Sequence, residues 1–225
     1  MRTTVKDIMT TAVVAVEEMT PFKDIVDVMH RLHVSAVPVL NRTGGVRGVV
    51  SKSDLLLKEA APDAGEEFHL SPGRRREQHK AVGTVAADLM SAPAVTVPAT
   101  ATVEQAAQAM CRHRIGRLPV VDPDSGRLIG IVGRADVLAV YRRPDADIRA
   151  DVVNQVITHA FAMDPARFEV AVRDGRVTVK GTVEKRSQTP LLIHAVRHVE
   201  GVVSVQDDLA YEIDDDDHVP FQQYY

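Results

Sequence analysis

The chain has no tryptophan, one cysteine and only 4% aromatic residues among its 225 residues. A core must therefore be built from Val, Ile, Leu and Ala, and a hydrophobic content of 45% is enough to do so. That content, with ordinary charge, excludes wholesale disorder. A single thiol, Cys111, forms no intramolecular disulfide, which suits a reducing compartment. No apolar run approaches the roughly 18 residues of a membrane-spanning helix. Basic surplus is also missing: 27 Lys+Arg face 31 Asp+Glu, for a net charge of -4. This argues against general nucleic-acid binding. The opening stretch to Met19 sets Lys6, Asp7, Glu17 and Glu18 around a broken apolar run, unlike a secretory signal. The expectation is a soluble, cytoplasmic protein. G-x-S-x-G, P-loop and G-x-G-x-x-G patterns are all lacking, so no catalytic residue is assigned.

What the sequence does contain is a repeat. Sliding it by 81 places Asp7-Ile8-Met9 on Asp88-Leu89-Met90, Met29 on Met110, Arg31 on Arg112 and Pro38-Val39 on Pro119-Val120. After one inserted residue near Asp122–Gly126 the shift becomes 82, and Gly48-Val49-Val50 falls on Gly130-Ile131-Val132 and Asp54 on Asp136. Ordered matches through one loop change mark two copies of one unit.

Within the first copy, Val13–Val16 suits a buried strand. Thr20-Pro21 offers a hydroxyl cap before a helix carrying Phe22, Ile25, Val26, Met29 and Leu32 at helical period. Val34–Leu40 is a strand candidate whose Pro38 must sit at an edge or strand start. A turn over Asn41–Gly45, a strand over Val46–Val50 and a helix opening at Ser51-Lys52-Ser53-Asp54 complete the unit. The second copy repeats this order, with Thr102 and Gln105 as a capping box. Each unit of roughly 55 residues is too small to bury its own faces, so two should pack as a pseudo-twofold pair.

The pattern D-h-M-[TS], V-x-V, a Thr/Pro-led helix, h-P-V and G-h-h-x-x-x-D resembles the CBS domain, present twice as in a Bateman module. The resemblance implies a non-catalytic regulatory α+β module with two clefts, commonly holding AMP, ADP, ATP, S-adenosylmethionine or NAD, and pairing into homodimeric discs. An aspartate at a helix start can accept both ribose hydroxyls, while backbone N–H groups, a hydroxyl and a cation suit phosphate. In the first copy, Ser51, Lys52 and Asp54 supply these, with Val49 on the strand before them. The resemblance completes this cleft with Met90, Pro93, Val95, Ile115 and Gly116. In the second copy, Asp136 and Arg134 keep the charges, with Ile131 before them, while Gly133 replaces the hydroxyl. Met9, Ala12, Val14, Val34 and Ser35 would complete that cleft. The loss at Gly133 favours the Asp54 cleft for phosphate. Alternatively, Asp54 and Asp136 simply cap helices. Met9, Met29, Met90 and Met110 recur with the repeat, as core packing residues would.

The domain reading is residues 1–60 and 83–142 for the two copies, a charged linker over 61–82, a third domain over 145–214 and an acidic or polar tail over 215–225. In the linker, Arg74–Arg76 could meet a phosphate, although a solvated charge run is the ordinary case. In the last third, Ile148–Met163 is an amphipathic helix. Phe168–Val172 and Val177–Val183 alternate around Asp174-Gly175, a hairpin signal. Thr189-Pro190 starts a helix through Val199, and Val202–Val205 is a third strand. This order, with D-G-x-V-x-V-x-G, resembles the BON domain, which implies contact with a protein partner or a phospholipid surface. The acidic Asp214–Asp217 would be repelled by anionic lipid. His194 and His198 lie one helical turn apart, but without a third ligand they read as a surface pair, and no metal is assigned. Cys111 reads as a small buried or half-buried thiol. Together these features lead to the expectation of a non-catalytic sensor that binds an adenosine nucleotide between the paired CBS domains and relays it through the BON domain to a protein or membrane partner. The competing expectation is a ligand-independent dimeric scaffold presenting BON domains.

Overall fold

A computed structural model describes residues 3–60 and 72–215. Each repeat opens with one helical turn, α1 (Val5–Ile8) or α5 (Ala86–Leu89), followed by a two-residue strand, β1 (Val16–Glu17) or β4 (Val97–Pro98). A helix follows, α2 (Phe22–Arg31) or α6 (Val103–His113). Then come two strands, β2 (Ala36–Leu40) and β3 (Val46–Ser51), or β5 (Arg117–Val121) and β6 (Leu128–Gly133). The closing helices are α3 (Lys52–Ala60) and α7 (Arg134–Leu138). Each sheet has its middle strand paired parallel to the first and antiparallel to the third. This is the expected α+β repeat, with local differences.

The expected strand over Val13–Val16 contracts to Val16–Glu17, because only these residues reach a partner, Val39 and Leu40. That short pairing also explains Pro38. It lies inside the middle strand β2, yet β1 stops short of it, so on that side no ladder bond needs its missing N–H. Thr20 does not cap α2, whose N-cap is Pro21; its hydroxyl instead accepts from the Glu17 N–H. The Thr102–Gln105 capping box forms both of its bonds.

The pseudo-twofold is visible in the bridges between the copies. Thr10 bridges Ile131 and Val49 bridges Ser91, two contacts that the repeat maps onto each other. Thr4–Thr102 and Pro21–Val85 are a second such pair, and Gly45 bridges its own equivalent, Arg127, on the axis. The opening turns are exchanged. Ala86 and Leu89 of the second copy, both fully buried, join Ile25, Met29, Val37 and Val39 in the core of the first. Glycine makes this approach possible: a Cβ on Gly48 would lie 2.6 Å from Met90 Sδ, and one on Gly130 2.5 Å from Met9 Sδ. Thus Met29 and Met110 are core residues, while half-buried Met9 and Met90 rivet one copy to the other.

Residues expected as linker include a further helix, α4 (Pro72–Val82). Arg75 on it is exposed; the side chains of Arg74 and Arg76, and residues 61–71, lie outside the described residues. Cys111 is exposed rather than buried, since the inward face of α6 is taken by Val103, Ala106 and Met110.

A second unit begins at Leu138. After a 3-10 turn over Ala139–Arg142 its first α-helix is α8 (Asp145–Asp151), and from Val152 to Ala160 the turns widen to i→i+5 bonding, ending with the Phe161 N–H on the Val156 carbonyl. The expected single α-helix over 148–163 is therefore a composite. Next, β7 (Phe168–Arg173) and β8 (Arg176–Lys185) pair antiparallel around Asp174-Gly175, both at positive φ (51° and 71°) as the tight turn requires. Asp145 holds this turn by accepting from both of its N–H groups. Helix α9 (Gln188–Arg197) leads to β9 (Ser204–Ile213), which runs parallel to β8 and is longer than the expected Val202–Val205 because its pairing continues to Lys185. Val202 itself enters the core with Ile148, Ile157, Val179 and Leu192. His198 hydrogen-bonds through Nδ1 to the His194 carbonyl, and the two rings lie 4.3 Å apart.

Candidate functional site

Between the two copies lies a cavity of about 710 Å³. It is formed where β3 and β6 run into α3 and α7, so the third residue of each helix, Asp54 or Asp136, lies at its wall. Both carboxylates fold back in the same way: Oδ2 of Asp54 accepts from the Ser51 N–H and Oδ2 of Asp136 from the Gly133 N–H, each at 2.8 Å. One oxygen of each therefore does satisfy the helix start, as capping alone would require.

The second oxygens differ. Oδ1 of Asp136 has no protein partner among the described residues. Oδ1 of Asp54 receives Lys80 Nζ at 2.5 Å, and the same ammonium donates to Ser91 Oγ at 2.8 Å. Lys80, in the last turn of α4, is only 5% exposed. It is held there in part by Lys58 of α3, which donates to the Ala81 and Gly83 carbonyls at the end of α4. The Ser51 hydroxyl also bonds Asp54 Oδ2, so every Asp54 oxygen is engaged.

Of the expected site residues, Val49, Ser51, Lys52, Asp54, Pro93, Val95, Ile115 and Gly116 line this one cavity, together with Ser35, Gly133, Arg134 and Asp136. Met9, Ala12, Val14, Val34, Met90 and Ile131 are not part of its lining. Val34 and Met90 pack against the core of the first copy, and Ile131 pairs with Thr10. A separate hollow of about 230 Å³ is lined by Thr11, Val13, Leu40 and Arg127, among others. The two expected clefts are thus not equivalent. Val49, Pro93 and Val95 bring apolar lining beside the segment that carries Ser91, next to Asp54, while Ile115 precedes Gly116, which is bonded to Arg134.

Positive charge dominates the wall. Lys52, Arg114, Arg117 and Arg134 face only Asp54 and Asp136, and Lys80 already neutralises Asp54. Among the described residues, Lys52, Arg114 and Arg134 make no ion pair. Arg117 donates to Ser35 Oγ at 2.8 Å, from one copy to the other. The repeat pairs Arg114 with His33, Arg117 with Ala36 and Arg134 with Lys52, so most of the charge comes from the second copy. Sequence reasoning missed Arg114 and Arg117, although comparing the copies for charge rather than similarity would have found them. Lys80 lies outside the repeat and left no such signal.

Residues 5–60 and 85–143 match the CBS domain family, and residues 144–212 match the BON domain family. The chain belongs to the tandem CBS-domain proteins and carries a BON domain. CBS domain-containing protein YhcV of Bacillus subtilis is 30% identical over 133 residues, 59% of this chain and 81% of YhcV. An uncharacterized protein of Methanocaldococcus jannaschii is 31% identical over 150 residues, 60% of this chain and 88% of that protein. The crystal structure of CBSX2 in complex with AMP, a protein of Arabidopsis thaliana, superposes with a TM-score of 0.54 at 31% identity. That match covers 60% of this chain and 94% of the CBSX2 chain. The CBS pair here thus shares both fold and appreciable sequence with a nucleotide-bound relative. No helix among the described residues is long and apolar enough to cross a membrane.

Proposed function

We propose that the chain is a non-catalytic cytoplasmic sensor that binds a phosphate-bearing adenosine nucleotide, AMP, ADP or ATP, in the cavity between its CBS copies. The observation that carries this is one cavity of about 710 Å³ in which ribose acceptors, cations and an apolar wall converge. Ligand sites of this kind typically span roughly 300–1,000 Å³. Adenine fits the Val49, Pro93, Val95 and Ile115 wall, ribose the Asp54 carboxylate, and phosphate the Lys52, Arg114 and Arg134 cations. Gly133 costs this scheme little, because its N–H already serves Asp136 and the anion-binding groups are the Lys52, Arg114 and Arg134 cations. The AMP-bound relative supports the choice of ligand class. A surplus of cations disfavours S-adenosylmethionine, whose sulfonium would enter a positive cavity.

The CBS pair forms the homodimer, and the BON domain passes the signal to a protein partner. Its sheet turns one face away from the helices, and that face mixes signs: Glu169, Lys180 and Asp208 stand in one cross-strand row, all exposed. Mixed charge suits a protein surface better than an anionic membrane.

A second reading, a ligand-independent scaffold, is favoured by one observation: Lys80 already satisfies Asp54 without any ligand. A thermal-shift panel of AMP, ADP, ATP, NAD and S-adenosylmethionine separates the two. A ligand at 100 times its Kd adds about 2.7 kcal/mol of stability, and the sensor reading expects this from the phosphate-bearing nucleotides. A flat panel at millimolar concentrations would leave only the scaffold.

A further inference from the structure

We propose that Lys80 is an in-chain occupant of the Asp54 subsite, which an entering nucleotide must displace, and that its displacement releases the linker helix α4. This inference rests on the nucleotide reading above and adds the moving part that such a sensor needs.

The contact competes directly with ligand. A ribose diol needs acceptor capacity on Asp54, but Oδ2 holds two bonds from Ser51 and Oδ1 holds Lys80. The pair is largely desolvated, with side-chain exposures of 7% for Lys80 and 13% for Asp54. Neither group can therefore be abandoned without a replacement partner. Ribose hydroxyls provide one for the carboxylate, and solvent provides one for the released ammonium. Nor does the fold demand the contact: at the equivalent Asp136 the same carboxylate geometry stands without a lysine.

Helix α4 is built to respond. Its sequence, Pro-Gly-Arg-Arg-Arg-Glu-Gln-His-Lys-Ala-Val, has no apolar stripe, so packing alone does not order it. Among its described side chains only Lys80 and Ala81 are buried. Its last turn is held by Lys80 on Asp54 and Ser91 and by Lys58 on the Ala81 and Gly83 carbonyls. Removing Lys80 takes away one of these two anchors. A ligand that binds the released arrangement better than the latched one shifts the population by that difference in affinity.

The test is hydrogen exchange of residues 78–82 in the full chain, with and without AMP, for wild type, Lys80→Met and Ser91→Ala, alongside calorimetric titration of AMP. The expected ligand-free result is about tenfold faster exchange in Lys80→Met and a smaller increase in Ser91→Ala. AMP should accelerate exchange of the same residues in wild type. Lys80→Met should bind AMP about three- to tenfold more tightly, because the competitor is gone. Slower exchange of α4 with AMP, or weaker AMP binding by Lys80→Met, overturns the proposal and makes Lys80 a ligand contact. If wild type binds no AMP, the nucleotide reading fails separately and the ligand-free arm decides the latch. Unchanged exchange in both variants then overturns it, and accelerated exchange in both supports it. Ser91→Ala keeps the ion pair, so it remains informative should Lys80→Met fail to fold.

Discussion

Arg134 and Asp136 lie two residues apart at the start of α7, and their separate duties define what a single substitution should do. The guanidinium stands against the backbone of Gly116, where an added Cβ would lie 3.7 Å from its Cζ. It is exposed and makes no ion pair among the described residues, so its role under the nucleotide reading is phosphate attraction. Arg134→Ala should weaken AMP by about three- to tenfold while leaving uncharged adenosine nearly unaffected, as removal of one charge-assisted contact implies. Equal losses for both ligands in a titration would contradict this. Elsewhere, Asp215 illustrates a titrating contact. Its carboxyl is held below the ordinary 3.8 first by the Ser187 backbone N–H, then by the Ser187 hydroxyl and the nearby Lys185. A lowered folded value means that the unfolded chain binds the proton more readily. The contact is therefore fully stabilising above about pH 4 and fades as pH falls through the folded value. The Ser187 amide resonance should titrate with a midpoint below 3.8, and a midpoint above it would contradict the assignment.

At the scale of elements, the exchanged opening turns are the feature on which the CBS pair depends. Leu89 is fully buried in the core of the first copy although it belongs to the second. Leu89→Ala should cost about 2–5 kcal/mol in urea unfolding. Gly48→Ala should cost about 1–3 kcal/mol, because the new methyl meets the Cβ and Cγ of Met90 as well as its sulfur. A loss below about 1 kcal/mol at Leu89 would mean that the copies do not share a core. The element order was legible because each rests on local signals: the Ile25 and Met29 period, the Asp174-Gly175 turn, the Thr102–Gln105 box. Details fixed by distant partners were not. Val13–Ala15 read as strand because they are apolar, but no partner strand reaches them. Val156 and its neighbours have ordinary helical periodicity, which carries no sign of the wider turns. Lys80 sat in a run of charge, and only a contact across 26 residues sets it apart from its solvated neighbours. The cavity was legible as two aspartates in a repeat, while its asymmetry came from residues that break the repeat.

For the whole molecule, the proposed function divides the work between the CBS pair and the BON domain: one would collect a ligand between two copies of a small unit, the other would offer a partly bare sheet to a partner. Neither CBS copy could do the first alone, since each supplies an aspartate while the cations come mostly from the second copy and the opening turns are traded. A sensor built this way would bind through both aspartates' ends of one cavity, and its claim to be a sensor stands or falls on ligand binding there. Calorimetric titration of AMP into the full chain and into the Asp54→Ala/Asp136→Ala double variant is the most direct test. The account predicts saturable binding to wild type and at least a tenfold loss, about 1.4 kcal/mol, in the double variant. Unchanged AMP affinity in a folded double variant, or no heat of binding to wild type at millimolar AMP, would contradict it.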